Sequence, residues 1–456
     1  MSSSSTDMED GIGGVVEDRV PLVNRSEPPP DRFRLVLWIM FILGFGALLP
    51  WNMFITATPY FDDKFKKRTV GNKTISPGLF HCTYENYFAV ASMVPNLIAV
   101  ILNVRYAHWF SIKWRIGGST FIVLLVFIWT TALVYPSDAH WQNSFFAITI
   151  VSVVIMNVAS STFQAGLYGL GGILNDPKYT GAIMSGQGMA GLFASLANIF
   201  SLAGGSRVEE SAIGYFASAV AVTAVSFFAF FVLINLSYVR YHLTVQKHYT
   251  SSSSSSSYEQ QTPHFWAIFK KIWGVALSVF LTFFVTLSIF PGVASNIKSV
   301  DAPSTDTLTT GEKDTWTVKY FTPIICFLLF NFGDFVGRTI APWIPLISHR
   351  FLLIPVVLRL AFLPLFALCN VLPRSSDASV VFNSDIYPIV FMALMAISNG
   401  YLGTLSMMYG PNLVLTHEKE TAGLMMSMFL TVGLASGAGF SFIITEGLNG
   451  FAGGRC

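Results

Sequence analysis

A chain of 456 residues in which 53% are hydrophobic, 15% aromatic and only 11% charged is not composed like a soluble globular protein, where about a quarter of residues carry charge. Its formal net charge of +2 is too small to point to nucleic acid or to an acidic partner. The four cysteines, Cys82, Cys326, Cys369 and Cys456, share no metal-ligand spacing, and two lie inside apolar runs, which argues against a disulfide framework.

Residues 1–31 are rich in Ser, Asp/Glu and Pro and lack apolar periodicity. They read as a disordered tail, and not as a signal peptide, since no apolar stretch precedes residue 35. Hydrophobic runs of spanning length then follow at 33–58, 86–104, 116–135, 145–174, 181–204, 212–238, 267–294, 319–343, 350–372, 386–411 and 421–446. The expected fold is an all-α polytopic membrane protein of eleven transmembrane helices. The Lys/Arg balance of the short loops puts the N-terminus in the cytoplasm, and the odd count puts a C-terminal tail, 447–456, outside. The first outer loop runs against this balance, with Lys64, Lys66, Lys67, Arg68 and Lys73. It also holds the sequon Asn72-Lys-Thr74, which is usable for glycosylation only on the outer side.

A polar stretch at 239–266 contains the run Ser251–Ser257 and reads as a cytoplasmic linker. It separates six helices at 32–238 from five at 267–446. Such a division suits a two-bundle transporter with its ligand held between the bundles near the midplane. The glycines Gly166, Gly169, Gly172, Gly186, Gly188, Gly191, Gly433 and Gly437 read as close backbone contacts within each bundle.

Polar side chains inside such helices are the functional candidates. The first helix carries Leu48, Pro50, Trp51 and Asn52 in its second half. A buried amide needs a partner in hydrocarbon, and the indole offers a flat platform with one donor. The fourth helix carries Asn157, Ser160, Ser161, Gln164 and Tyr168 on one stripe. Gln164 donates and accepts at once, as a nucleobase edge requires; interhelical hydrogen bonding is the competing reading. On the eighth helix Phe327, Asn331, Asp334 and Arg338 recur at spacings of four, three and four, so they face one way. Asp334 and Arg338 can pair, and a carboxylate beside a guanidinium suits vicinal hydroxyls. A structural ion pair and a proton relay are the other readings of that acid. Arg359 lies deep in the ninth helix and needs a partner across the bundle, Asp334 or a group at the inner end. Glu420 opens the eleventh helix and Arg115 precedes the third, so either can join a latch between bundles. Pro95 and Pro291 read as gating kinks. Neither a phosphate-binding loop nor a dinucleotide, zinc-protease or nucleophile-elbow motif occurs, so no enzyme activity and no cofactor is expected.

Five blocks carry a family resemblance: Leu48-Leu-Pro-Trp-Asn-Met-Phe-Ile-Thr-Ala57, Ser185-Gly-Gln-Gly-Met-Ala-Gly191, Asn331-Phe-Gly-Asp-Phe-Val-Gly-Arg338, Ser398-Asn-Gly-Tyr-Leu402 and Glu420-Thr-Ala-Gly423. Together they resemble the equilibrative nucleoside transporters, in order, from about residue 33 to 446. The resemblance implies eleven helices in a major-facilitator-like six-plus-five arrangement and passive, sodium-independent passage of nucleosides such as adenosine and uridine. A plasma-membrane monomer in the lipid bilayer is expected; proton-coupled nucleoside or nucleobase uptake in an acidic organelle, with Asp334 as the proton site, is the alternative. By the same resemblance, Leu48, Trp51 and Met93 pack on the ligand, Gln164 reads the base, and Asp334 and Arg338 hold the ribose. Asn52, Arg115 and Glu420 fall to support or gating. The sequence departs from the family pattern at Phe335, where tryptophan is usual, and at Ser160, where some members have glycine.

Overall fold

The computed structural model describes residues 28–65, 69–70, 73–74, 84–134, 142–204, 207–254, 265–302, 316–372 and 380–449. They are nearly all helical. A 3-10 turn at Arg32–Arg34 leads into α1 (Leu35–Thr56), followed by the short α2 (Thr58–Phe65). A minimal ribbon, β1 (Thr69–Val70) paired antiparallel with β2 (Lys73–Thr74), precedes α3 (Tyr84–Tyr106). A π-turn, Trp114–Gly118, opens α4 (Ser119–Ala132). Then come α5 (Gln142–Ile173), α6 (Pro177–Gly204), α7 (Val208–Asn235), α8 (Ser237–Ser254) and α9 (Phe265–Ile289). Two π-helical stretches, Trp316–Tyr320 and Thr322–Leu328, run into α10 (Leu329–Ile340). The chain ends with α11 (Leu353–Leu358), α12 (Phe362–Ala367), α13 (Ile386–Asn412) and α14 (Lys419–Asn449).

Among the described residues, nine helical spans are long and apolar enough to cross a membrane. Two shorter apolar helices, Val90–Tyr106 and Leu353–Ala367, stand where the second and ninth spans are expected. Large apolar side chains such as Phe200, Phe228 and Ile354 are exposed on the outside of the molecule, as a hydrocarbon surround permits.

The structure corrects several expectations. The ninth run is two short helices joined by a 3-10 turn at Arg359–Ala361. Pro355 and Pro364 fall inside it, and each removes a backbone donor and crowds the preceding turn. The 239–266 linker is helical as far as Ser254, pinned by Tyr238 donating to the Leu174 carbonyl and by Gln246 donating to that of His417. Pro291 lies just past the end of α9, after a cis peptide, and so bends no helix. Pro95 is carried inside α3.

The helices pack in two groups. In the first, α1 lies on α6 and α7, α4 on α5 and α7, and α3 on α5. In the second, α9 lies on α13 and α14, and α10 on α13. The groups meet along α5–α14, α3–α14, α6–α10 and α6–α13. One hydrophobic core takes residues from both groups, including Leu43, Leu167 and Ile183 from the first and Val279, Leu405 and Met425 from the second. At the opposite end the core divides. Leu49, Phe54, Phe127, Met156 and Phe216 form one cluster entirely within the first group. Val285, Phe330, Phe366 and Met392 form another within the second. The molecule is thus zipped at one end and split at the other.

Candidate functional site

On six helices followed from the shared core to the split end, a polar or ligand-suited side chain marks the crossing. On α1 the core changes between Ala47 and Leu49, at Leu48. On α5 it changes between Ala159 and Phe163, next to Gln164; on α6, between Met184 and Ala190, around Gln187. In the second group it changes on α9 between Phe283 and Val285, next to Thr286, and on α13 between Ala396 and Leu402, around Asn399. The α10 segment from Phe330 to Ala341 spans the same level and holds Asn331, Asp334 and Arg338.

Seven buried side chains of this layer form one continuous hydrogen-bonded chain. Arg338 Nε donates to Asp334 Oδ2 at 2.6 Å, and Asn399 Nδ2 donates to Asp334 Oδ1 at 2.7 Å. Thr286 Oγ1 donates to Asn399 Oδ1 at 2.7 Å, and Arg359 Nη2 donates to Thr286 Oγ1 at 2.6 Å. Arg359 is tied further to the Met395 carbonyl at 2.9 Å and to Ser398 Oγ. On the other side Arg338 Nη1 reaches the Met184 carbonyl and Gln187 Oε1, both at 3.4 Å, and the Tyr168 hydroxyl donates to Gln187 Oε1 at 2.8 Å. The chain holds two guanidinium groups and one carboxylate. Burying these is costly unless each is well hydrogen-bonded, and the network supplies those bonds.

Three donors remain for a ligand near this layer. Arg338 Nη2 has no partner among the described residues. The Gln187 Nε2 amide is buried and has no partner among the described residues. Gln164 is half-buried and makes no hydrogen bond to a described residue.

The other expected site residues are placed as follows. Leu48 and Trp51 are half-buried against the core of the first group's split end, with the Trp51 ring stacked on Phe54 at 6.0 Å. Met93 is half-buried on α3. Phe327 sits edge-on to Phe290 at 5.6 Å, and lies on π-helical backbone, so its place on the α10 stripe is set by a wider turn than the α spacing assumes. Asn331 is turned to α6: its Nδ2 donates to Ser195 Oγ at 2.8 Å and to the Phe327 carbonyl, while its Oδ1 lies over Gly191. Asn52 Nδ2 is buried without a partner among the described residues. Arg359 bonds to Thr286, Met395 and Ser398; of the expected partners, Asp334 or a group at the inner end, Asp334 is not reached directly, because Asn399 and Thr286 stand between. Asn72 lies outside the described residues.

The zipped end is held by polar pairs and by glycine. Arg115, ahead of α4, pairs with Glu420 of α14, and Lys419 of α14 bonds Asn175, which follows α5. The Trp343 ring, just beyond α10, takes Arg34 and Lys178 of the first group on its faces at 5.4 and 5.6 Å. A Cβ at Gly423 would stand 2.3 Å from the Tyr168 carbonyl oxygen, and one at Gly172 would stand 2.6 Å from that of Lys419. Gly188 and Gly191 likewise face Arg338 and Asn331. The α5 and α6 glycines therefore serve contacts between the two groups as well as within one, contrary to the expectation.

Sequence reasoning assigned no role to Gln187, Asn399 or Thr286, which the structure puts in the chain. Two of them carried a legible signal: an amide flanked by glycine in an apolar run, in Ser185-Gly-Gln-Gly188 and Ser398-Asn-Gly400.

The comparisons fit this geometry. The family model described as nucleoside transporter matches residues 150–446. Equilibrative nucleoside transporter 1 of Rattus norvegicus is 36% identical, over 92% of this chain and 98% of its own length. Equilibrative nucleoside transporter 2 of Homo sapiens is 34% identical over the same shares, and equilibrative nucleoside transporter 3 of Rattus norvegicus is 33% identical over 95% of this chain and 92% of its own. Among solved structures, the major facilitator superfamily proton:xylose symporter XylE superposes with a TM-score of 0.62 at 9% identity, covering 92% of this chain and 90% of that one. That likeness gives the fold, a major-facilitator-like arrangement of helices in a multi-pass membrane protein. With this architecture and these relatives, the chain belongs to the equilibrative nucleoside transporter family.

Proposed function

We propose that this protein is a facilitative, sodium-independent carrier of purine and pyrimidine nucleosides that works by alternating access. The names of its relatives support the substrate class. The observation that carries the mechanism is the coincidence of the polar layer with the level at which one core becomes two. A ligand at that level lies at the base of the split. Rocking the two groups would then zip the open end and part the closed one around a fixed site. The short-loop charges assign the zipped end to the cytoplasm, and the conformation then faces outward.

In this reading Leu48, Trp51 and Met93 pack on the nucleoside and Gln164 reads the base. Asp334 accepts from ribose hydroxyls while Arg338 donates through Nη2. The eleven spans divide six plus five, with the N-terminus cytoplasmic, and a plasma-membrane monomer suffices. The proton-coupled alternative is not favoured by the relatives, which are named equilibrative transporters.

Uptake of radiolabelled adenosine and uridine into proteoliposomes tests the proposal. Saturable uptake that stops at equal inside and outside concentrations, with or without sodium, is expected. Absence of uptake, or accumulation above the outside concentration that is driven by an inward proton gradient and abolished when that gradient is collapsed, would overturn it.

A further inference from the structure

Asp334 is aimed from behind. Its Oδ1 takes a hydrogen bond from Asn399, whose own oxygen takes one from Thr286, whose oxygen takes one from Arg359. The direction of every link is set by chemistry. A guanidinium only donates, a carboxylate only accepts, and an amide can donate forward only if its oxygen faces back. The Thr286 hydroxyl has one proton and two acceptors in reach, Asn399 Oδ1 at 2.7 Å and the Thr282 carbonyl at 2.9 Å. The carbonyl already accepts within the helix, so the amide oxygen is the needier partner. Removing the hydroxyl would leave both Asn399 Oδ1 and Arg359 Nη2 short of a bond, and with them the orientation of the amide.

All four groups belong to the second helix group: α9, α10, the turn between α11 and α12, and α13. Arg359 fastens the far end to the Met395 carbonyl of α13. The brace therefore moves as one body when the groups rock. The links from Arg338 across to α6 are longer, at 3.4 Å, and they join the two groups.

We propose that Asn399 and Thr286 are positioning residues for ribose selectivity. By holding one carboxylate oxygen of Asp334, they fix which lone pairs remain for a vicinal diol, and so set the preference for ribonucleosides over analogues lacking the 2′- and 3′-hydroxyls. This rests on the reading that Asp334 faces the ribose.

The experiment compares KM for uridine and for 2′,3′-dideoxyuridine in proteoliposomes. KM does not depend on how much reconstituted protein is active. Thr286→Val, nearly isosteric, is expected to raise the uridine KM about fivefold, the scale of one buried hydrogen bond, and to leave the dideoxyuridine KM within about twofold. Thr286→Ser, which keeps the hydroxyl, should restore the wild-type ratio, and Asn399→Leu should narrow the ratio further than Thr286→Val. An equal rise for both substrates in Thr286→Val and Asn399→Leu, or a fall in Vmax alone, overturns the proposal. Asp334→Asn separates the two layers of argument. If it leaves the ratio unchanged, the ribose reading itself fails; if it narrows the ratio while Thr286→Val and Asn399→Leu do not, only the positioning role fails.

Discussion

The two ends of this molecule solve the same packing problem differently. At the zipped end, side chains of both helix groups share one core, and glycines on α5 and α14 let backbones touch. At the split end each group keeps its own core, and the first group's is dense in aromatic rings: Phe54, Phe61, Phe88 and Phe216 lie within 6.4 Å of one another in several pairs. A group with its own core there can part from its neighbour without exposing a half-built interior. A shared core cannot, so opening the zipped end means giving up apolar core contacts that the split end does not make, where the groups meet instead through polar bonds such as Asn331 to Ser195. Conformational exchange then needs a compensating gain at the split end, and a ligand bridging both groups at the dividing level would supply it.

The largest expected effect comes from breaking the layer between the ends. Asp334→Ala leaves Arg338 buried without its counter-charge, a loss of about 3–5 kcal/mol where a buried pair is broken. Uptake per molecule at the membrane should fall by more than about 100-fold. Gln164→Ala, which frees no buried charge, should lose uptake with the amount of folded protein unchanged. Wild-type uptake by either variant would remove that residue from the site.

A second pair of changes on a single helix contrasts the ends directly. Gly423→Val places a side chain against the Tyr168 backbone, where rigid atoms cannot give way. Gly439→Val, further along α14, meets nothing within 4 Å. The first should force α5 and α14 apart and raise the reactivity of a cysteine placed at Leu170, in the zipped core; the second should leave it unchanged. Equal reactivity in the two variants would mean that the shared core does not close that end. Smaller, and on the same side, is Glu420→Gln. It removes the charge partner of Arg115, whose Nε and Nη1 are already buried with no partner among the described residues. A shift of about 0.5–2 kcal/mol, the scale on which single mutations bias such a balance, should appear as increased labelling at Leu170 and as an altered Vmax.

How much of this was legible beforehand follows from what periodicity can report. The order of the spans, the stripe on α10 and the pairing of Asp334 with Arg338 all depend on local spacing, and local spacing is visible in a sequence. The partners of Arg359 were not. They sit 36 to 73 positions away, and no single-helix rule picks Thr286 from the other hydroxyls on α9. Asn331 was read as facing a ligand because it shares the stripe. It turns instead to Ser195, because Gly191 lets α6 come close enough to take its amide. The split between cores was invisible for a deeper reason. Leu43 and Leu49 are equally apolar, and only tertiary packing decides that one is shared between groups and the other is not.

The smallest expected effect lies at the edge of the zipped end, on α8. His242 packs against Tyr238 at 4.6 Å and Tyr241 at 5.4 Å, with Nε2 buried and without a partner among the described residues. Burial, and secondarily the nearby Lys419 ammonium, hold its pKa below the ordinary histidine value. The sign follows from linkage: the undocked helix binds a proton more readily than the docked one, so docking weakens as pH falls below about 6.5. Protonation would also set a second positive charge beside Lys419, whose bond to Asn175 helps close this end. Amide hydrogen exchange over residues 238–246 should therefore be faster at pH 5.5 than at pH 7.5 once corrected for intrinsic rates, and His242→Phe should abolish the difference. Since α8 meets the zipped end through Tyr238, Gln246 and Val239, the last buried in the shared core, labelling at Leu170 reports whether that core loosens with α8; it should not change with pH over the same range. If it does, the rim and the shared core open together and belong to one cooperative unit.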